Sequence, residues 1–264
     1  MNLQLKGKTA FISGSTKGIG FAIAAQLVKE GARVIINGRT QDKIDAAMRK
    51  LIAIRPEADV TGIAADFSSE HEVYQLLEKL PSIDILVNNV GIFALKDFGR
   101  IEDSEWKNMF DINVMSGVRL SRMVLPKMIA QQWGRILFIS SESGVNVPAN
   151  MIHYGITKTA MLSLSNGLSK LTKGTAVTVN TILGGPTYSD GVSDAVKHIA
   201  QANNIGEPEM KAAIFQNTNA HSLLQRFIEP DEIAGIAAYL CSPLAGCING
   251  AAIRADGGVL NTLL

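Results

Sequence analysis

The stretch Thr9-Ala10-Phe11-Ile12-Ser13-Gly14-Ser15-Thr16-Lys17-Gly18-Ile19-Gly20 decides the fold of this 264-residue chain. Its first four residues are an apolar run of strand length, the glycine-rich remainder reads as a turn, and Phe21 to Glu30 follows with a helical pattern. Strand, glycine turn and helix form the opening of a nucleotide-binding βαβ unit. Gly14 permits the tight turn, Gly18 lets a diphosphate approach the backbone, and Gly20 lets the helix lie close on the sheet. Ser15, Thr16, Lys17 and Ile19 complete the turn, and the helix start offers unpaired N–H groups and partial positive charge to a phosphate. The spacing is Gly-x3-Gly-x-Gly, not the Gly-x-Gly-x-x-Gly of the general dinucleotide fingerprint, so a purely structural turn is the alternative for these residues alone.

Outward from that unit, apolar and β-branched runs recur at 33–37, 60–65, 83–88, 135–140, 176–182 and 251–255, alternating with helical patterns. The alternation predicts an α/β fold: one Rossmann-type domain over residues 1–264, a doubly wound parallel sheet with helices on both faces. Right-handed crossovers then gather the glycine turn, Asn88, Ser141 and Gly185 on one edge. The second run ends in Asn37-Gly38-Arg39. An NAD site usually places a carboxylate there for the ribose 2′-hydroxyl, whereas arginine suits a 2′-phosphate. No acid is present and Lys17 adds a second cation, so the expected cofactor is NADP(H) held by Asn37 and Arg39; the alternative makes Arg39 a solvated loop charge.

Ser141, Tyr154 and Lys158 have the composition of a proton-transfer device. Tyr154 and Lys158 stand four apart and share one helix face, so the amine can sit beside the phenol. A free phenol titrates near ~10, and a neighbouring ammonium is expected to lower that value and make Tyr154 a usable general acid. Ser141 ends the run Ile136-Leu137-Phe138-Ile139 and is placed to donate to a substrate oxygen.

The glycine turn, Asn88-Asn89-Val90-Gly91, Asn113, Ser141 and the Tyr154/Lys158 pair stand in the order and spacing of the short-chain dehydrogenase/reductase family, which the chain resembles over nearly its whole length. Asp256-Gly257-Gly258 adds to the likeness. The resemblance implies that Asn113 completes the catalytic set by holding a water that links the lysine to solvent. It implies that Ser141 bonds the substrate carbonyl, Tyr154 donates the proton, and Lys158 binds the nicotinamide ribose. Asp66 and Phe67 match the adenine contact, Asn89 and Gly91 the adenosine side of the channel, and Gly185 and Thr187 the loop that meets the nicotinamide amide. Two positions depart from the pattern: Val90 stands for the usual alanine and Gly184 for the usual proline. The resemblance also implies a homotetramer, pairing the helices expected over 105–131 and 152–171 through residues such as Met115, Val118, Met123, Met161, Leu164 and Leu168.

A net charge of +1 gives no general attraction to nucleic acid or anionic membrane, and no run is apolar and long enough to span a bilayer. Met1 to Lys8 has no apolar signal core; with Cys241 and Cys247 expected reduced, a cytoplasmic protein is the default. His71, His153, His198 and His221 lack ligand spacing, so no metal site is expected.

Residues 186–230 run without a strand and read as a substrate loop or lid whose Val192, Val196, Ile199, Ile205, Met210, Ile214 and Phe215 either close an apolar pocket or pack on the body. Tyr188 is expected to face the substrate. Glu142, next to Ser141, either selects a cationic substrate or faces solvent. The expected activity is hydride transfer between NADP(H) and a ketone/secondary alcohol pair, mainly as a carbonyl reductase on a small molecule. A 3-oxoacyl-[acyl-carrier-protein] reductase is the nearest alternative, although Gln132 and Thr175 stand where carrier-docking cations belong; Arg135, Lys170 and Lys173 are nearby substitutes. A non-catalytic NADP(H) sensor or scaffold is the alternative of another class.

Overall fold

Alternate residues of the first strand, β1 (Thr9–Ile12), serve two separate cores. Ala10 and Ile12 pack on one face of the sheet and Phe11 on the other, as the twofold period of a strand requires. The same division holds in β2 (Arg33–Gly38), where Val34 and Ile36 oppose Ile35, and in β4 (Ile85–Asn88), where Ile85 and Val87 oppose Leu86. Strands buried on both faces read as continuous apolar runs, which is why the sequence shows runs rather than alternation. The remaining strands are β3 (Val60–Ala64), β5 (Trp133–Ser141), β6 (Ala176–Gly184) and β7 (Ala252–Ala255).

This computed structural model describes residues 2–263; Met1 and Leu264, the ends of the expected domain, lie outside the described residues. The seven strands form one parallel sheet in the order β3-β2-β1-β4-β5-β6-β7. On one face lie α1 (Gly18–Lys29), α2 (Gln41–Ile54) and α9 (Pro230–Cys241), contributing Ile23, Ile44 and Ile233 to the first core. On the other lie α3 (Glu70–Lys79), α5 (Ser116–Ala130) and α6 (Ile152–Lys170), contributing Val73, Leu120 and Met161 to the second. Each such side chain, fully buried, stabilises the fold by about 1.5–3 kcal/mol. The expected doubly wound sheet is the fold of this chain.

The order reverses between β1 and β4, and the crevice at their carboxyl ends is where ligands of open α/β sheets bind. Two differences from the sequence reading bear on that crevice. The rod expected over 105–131 is α4 (Asp103–Phe110) and α5 joined by a wide π turn, Asp111–Met115. Asn113 sits inside that turn, fully buried, with Oδ1 accepting from Ile92 N at 2.8 Å and Nδ2 donating to Ile92 O at 2.9 Å. The extra residue in the turn is the local cost of bringing this side chain to the loop after β4. Residues 186–230 form α7 (Asp190–Ala202) and α8 (Glu207–Asn217), and Val196, Phe215 and Phe227 make a small core of their own with Tyr188, Val192, Met210 and Ile214.

Candidate active site

The glycine turn is held shut from behind by three polar side chains. Ser13 Oγ accepts from Asn89 N at 3.0 Å and Val90 N at 3.1 Å, while Asn89 Nδ2 donates to Ser13 O and Gly14 O, each at 3.0 Å. Gly14, at φ 62°, donates its N–H to Asn37 Oδ1 at 3.0 Å. A Cβ on Gly20 would lie 2.4 Å from Asn89 Nδ2 and 2.6 Å from Gly14 O, so this glycine is required by close approach. Val90 takes up the space above Gly14, where an added Cβ would meet its Cγ2 at 2.8 Å.

Several residues expected to touch the cofactor also brace the framework. Asn37 is buried, and its Nδ2 donates to Ile63 O at 3.0 Å, so its side chain braces the turn against β3. Phe67 is buried in the second core. Half-buried Asp66 uses Oδ1 to accept from Ser68 N at 2.9 Å and Ser68 Oγ at 2.8 Å. Lys17 and Arg39 are exposed, and the end of β2 lies against the turn, since a Cβ on Gly38 would meet Thr16 Cγ2 at 2.5 Å. The two cations therefore border one crevice. Gly185 N donates to Ala255 O at 3.0 Å, and Thr187 Oγ1 donates to Gly185 O at 2.9 Å, fixing the loop after β6.

Ser141 and the first turns of α6 close the crevice from the other side. Ser141 ends β5 opposite Gly184 of β6, and Ser140 Oγ donates to Lys158 O at 2.9 Å, tying α6 to the strand tip. Lys158 Nζ lies 5.5 Å from the centre of the Tyr154 ring and donates to Ile139 O at 2.9 Å. A Cβ on Gly91 would stand 3.4 Å from Lys158 Nζ and 3.5 Å from Asn113 Oδ1, so Gly91, Asn113 and Lys158 meet at one point. Asn113 Nδ2 also donates to Thr157 Oγ1 at 3.0 Å, joining the π turn to α6.

The phenol is not depressed as its sequence neighbour suggests. Burial holds Tyr154 above its ordinary value of 10.0, the Glu142 carboxylate adds to the rise, and a hydrogen bond with Ser141 opposes it. Burial lowers Lys158 to about 8, with Glu142 opposing that shift. The physical reason is desolvation: burial penalises the charged form of each group, outweighing the Ser141 hydrogen bond at Tyr154 and the Glu142 attraction at Lys158. Glu142 is half-buried rather than solvent-facing; its carboxyl is raised above the ordinary 4.5 by burial, against hydrogen bonds from Ser141 and Ser143.

Tyr188, expected to face the substrate, packs against the small core of α7 and α8. Its hydroxyl donates to Glu207 Oε1 at 2.6 Å, Lys211 Nζ lies 3.5 Å from its ring centre, and its ring is 5.2 Å from that of Phe227. Two other residues border the crevice that sequence reading did not single out. Phe93 meets the Tyr154 ring edge to face at 6.3 Å, and a Cβ on Gly191 of α7 would lie 3.9 Å from it. Asp190 reaches from the start of α7 to the glycine turn, its Oδ2 accepting from Gly18 N at 2.7 Å. An aromatic two residues past Gly91 was a readable signal for the first; a contact spanning 172 residues left none for the second.

Arg135 is buried and donates to Ser242 O at 3.1 Å and Ala176 O at 2.7 Å, which removes it from any carrier-docking surface. Met161, expected on a subunit-pairing face, is buried within the second core. Among the described residues no group of three or more His, Cys, Asp or Glu side chains could hold a metal ion, and no helix is long and apolar enough to cross a membrane.

The sequence matches the short chain dehydrogenase family over residues 8–200. Two relatives from Bacillus subtilis (strain 168), the uncharacterized oxidoreductases YvaG and YvrD, are 43% and 45% identical, with 100% of each chain covered. The structure of L-sorbose reductase from Gluconobacter frateurii, complexed with NADPH and L-sorbose, superposes with a TM-score of 0.93 at 30% identity, covering 100% of both chains. With a family match over most of its length, relatives of this identity and the strand-tip geometry above, the chain belongs to the short-chain dehydrogenase/reductase family and is an oxidoreductase of it.

Proposed function

We propose that the protein is an NADP(H)-dependent carbonyl reductase acting on a small ketone, reversible in the direction of the secondary alcohol. The observation that carries this reading is the meeting of Ser141, Tyr154 and Lys158 at the tip of β5, across one crevice from the glycine turn. The residues fit a nicotinamide dinucleotide. The Gly18 N–H already binds an anionic oxygen, with the Asp190 carboxylate standing in for a phosphate oxygen, and Arg39 and Lys17 border the second ribose site without a neighbouring acid in the turn. Glycines 14, 18 and 20, with Ser15, Thr16 and Ile19, line the diphosphate; Asp66 lies at the adenine end and Asn89, Gly91, Gly185 and Thr187 along the channel. The preference for the phosphorylated cofactor is supported by the NADPH bound in the sorbose reductase neighbour.

When bound, the cofactor supplies the hydride to the carbonyl carbon. Charge then builds on the carbonyl oxygen, and Tyr154 Oη delivers its proton there, so that hydride and proton together complete the alcohol. A phenol held above its ordinary value is a loaded donor at neutral pH. Ser141 Oγ donates to the same oxygen and orients it. Lys158, charged below about 8, stabilises the phenolate left behind and holds the ribose, while Asn113 nearby holds a water that links the lysine to solvent. The segment with α7 and α8 excludes water as a lid. We further place the protein in the cytoplasm as a homotetramer paired through α4, α5 and α6; sedimentation as a stable monomer would remove the second point.

The test is a panel of ketones with NADPH, read by loss of its absorbance. Turnover in the native protein and its loss in Tyr154→Phe, with NADPH affinity retained, supports the reading. Activity of Tyr154→Phe near that of the native protein refutes it, and binding of NADPH with no turnover on any ketone favours a sensor.

A further inference from the structure

Ser141 has one hydroxyl proton, and Glu142 holds it. Ser141 Oγ donates to Glu142 Oε2 at 2.5 Å while accepting from Ser143 N at 3.1 Å, and Ser143 Oγ donates to Glu142 Oε1 at 3.0 Å. The mount is stiff. Glu142 opens a 3-10 turn, Glu142–Gly144, capped by Ser141, and Gly144 is pressed so close to α6 that a Cβ would lie 2.9 Å from the carbonyl carbon of Lys158. Thr159 Oγ1 fastens the turn further by donating to Gly144 O at 2.7 Å. Its hydrogen bond from Ser141 sets the carboxylate at the reacting end of the crevice, where it acts on both Tyr154 and Lys158.

A substrate carbonyl needs the same proton that Glu142 now receives. A ketone with no other polar group offers nothing in exchange, and taking the proton leaves a half-buried carboxylate short of a donor, which is costly. A hydroxyl on the carbon next to the carbonyl removes that conflict, because it can donate to Glu142 as Ser141 turns to the carbonyl oxygen. Positive charge is not what the exchange lacks, since Lys158 already lies within electrostatic reach of Glu142. A cationic substrate is therefore not the one this carboxylate selects.

Resting on the reductase reading, we propose that Glu142 determines specificity by accepting a hydrogen bond from a hydroxyl adjacent to the substrate carbonyl, so that the favoured substrates are α-hydroxyketones and their products vicinal diols. No bond is made or broken at Glu142. Each proton stays on its own oxygen and only hydrogen-bond partners exchange, while the cofactor's hydride and the Tyr154 proton complete the reduction.

The test compares 1-hydroxybutan-2-one with butan-2-one as substrates, and butane-1,2-diol with butan-2-ol as ligands in calorimetry on the NADP(H)-loaded protein. In the native protein kcat/KM should favour the hydroxyketone, and affinity the diol, by about tenfold or more. Glu142→Gln should cut both ratios by about tenfold, partly by raising turnover of butan-2-one as Ser141 is released from the stronger acceptor. Ratios within about twofold of the native ones in the variant overturn the proposal. Failure of the native protein to reduce either ketone sinks the reductase reading alone, because the calorimetric ratio still decides the role of Glu142.

Discussion

The backbone N–H of Gly18 donates to Oδ2 of Asp190 at 2.7 Å, so the first residue of α7 rests on the glycine turn 172 residues away. A carboxylate there occupies an anion position at a helix start, where a phosphate is expected to bind. Cofactor binding and retreat of α7 are then linked, since both cannot use one N–H. Asp190→Ala should tighten NADPH binding by about threefold, the worth of an exposed charged contact. Calorimetry decides it: unchanged or weaker binding removes Asp190 as a competitor.

The pH dependence of reduction should follow Lys158. Burial lowers its value to about 8, so the ammonium is present below that pH and lost above it. kcat/KM for ketone reduction should therefore fall as pH rises through about 8, while Tyr154, held high, keeps its proton over the same range. A profile flat to about pH 9.5 contradicts the role given to the lysine.

Stability should respond to His153 on the acid side. Both its ring nitrogens are buried without a hydrogen-bond partner, its ring packs on Trp106 at 5.9 Å, and burial lowers it below its ordinary 6.5. A depressed folded value means that the neutral ring contributes its stability above 6.5 and that this is lost as pH falls through the folded value. Melting of the native protein and of His153→Leu, compared at about pH 7.5 and about pH 5.5, reads the effect. The native protein should lose more on acidification; equal losses exclude His153 as the cause.

Gly20→Ala should separate cofactor binding from folding. Its new methyl would press on Asn89 Nδ2 at 2.4 Å and Gly14 O at 2.6 Å, overpacking that costs about 1–3 kcal/mol and distorts the turn. NADPH affinity should fall by about tenfold or more while the chain still melts cooperatively. Affinity equal to that of the native protein would mean that the clamp tolerates displacement.

The two cysteines should differ sharply toward a thiol reagent. Cys247 is exposed, whereas Cys241 is buried and its thiol is pushed up to about 12. One equivalent should react in the folded protein and a second only on unfolding. Two fast equivalents would show that α9 opens readily.

Much of the architecture was legible because strands such as Phe11-Ile12 and Ile35-Ile36 are apolar on both faces, a local property that short windows register. The positions of Ser141, Tyr154 and Lys158 were legible for the same reason, as they sit at the end of one run and on the first turns of one helix. What composition could not give was competition between partners. Asn37, expected at the cofactor, also has its amide bonded by Gly14 and Ile63, and Tyr188, expected at the substrate, carries Glu207 on its hydroxyl and Lys211 on its ring. The phenol shift is of the same kind, because spacing shows which charge is near but not how much water is removed.

The wide turn at Asp111–Met115 leaves the rod formed by α4 and α5 phased differently on its two sides. Removing the extra residue there would restore regular winding while α5 keeps its phase on the sheet. Asn113 would swing off Ile92, whereas Leu120 and Val124 would stay on the sheet. A single-residue deletion in this segment would thus be felt at the proton relay and spare the interior, which makes the wide turn a local device in the service of one side chain.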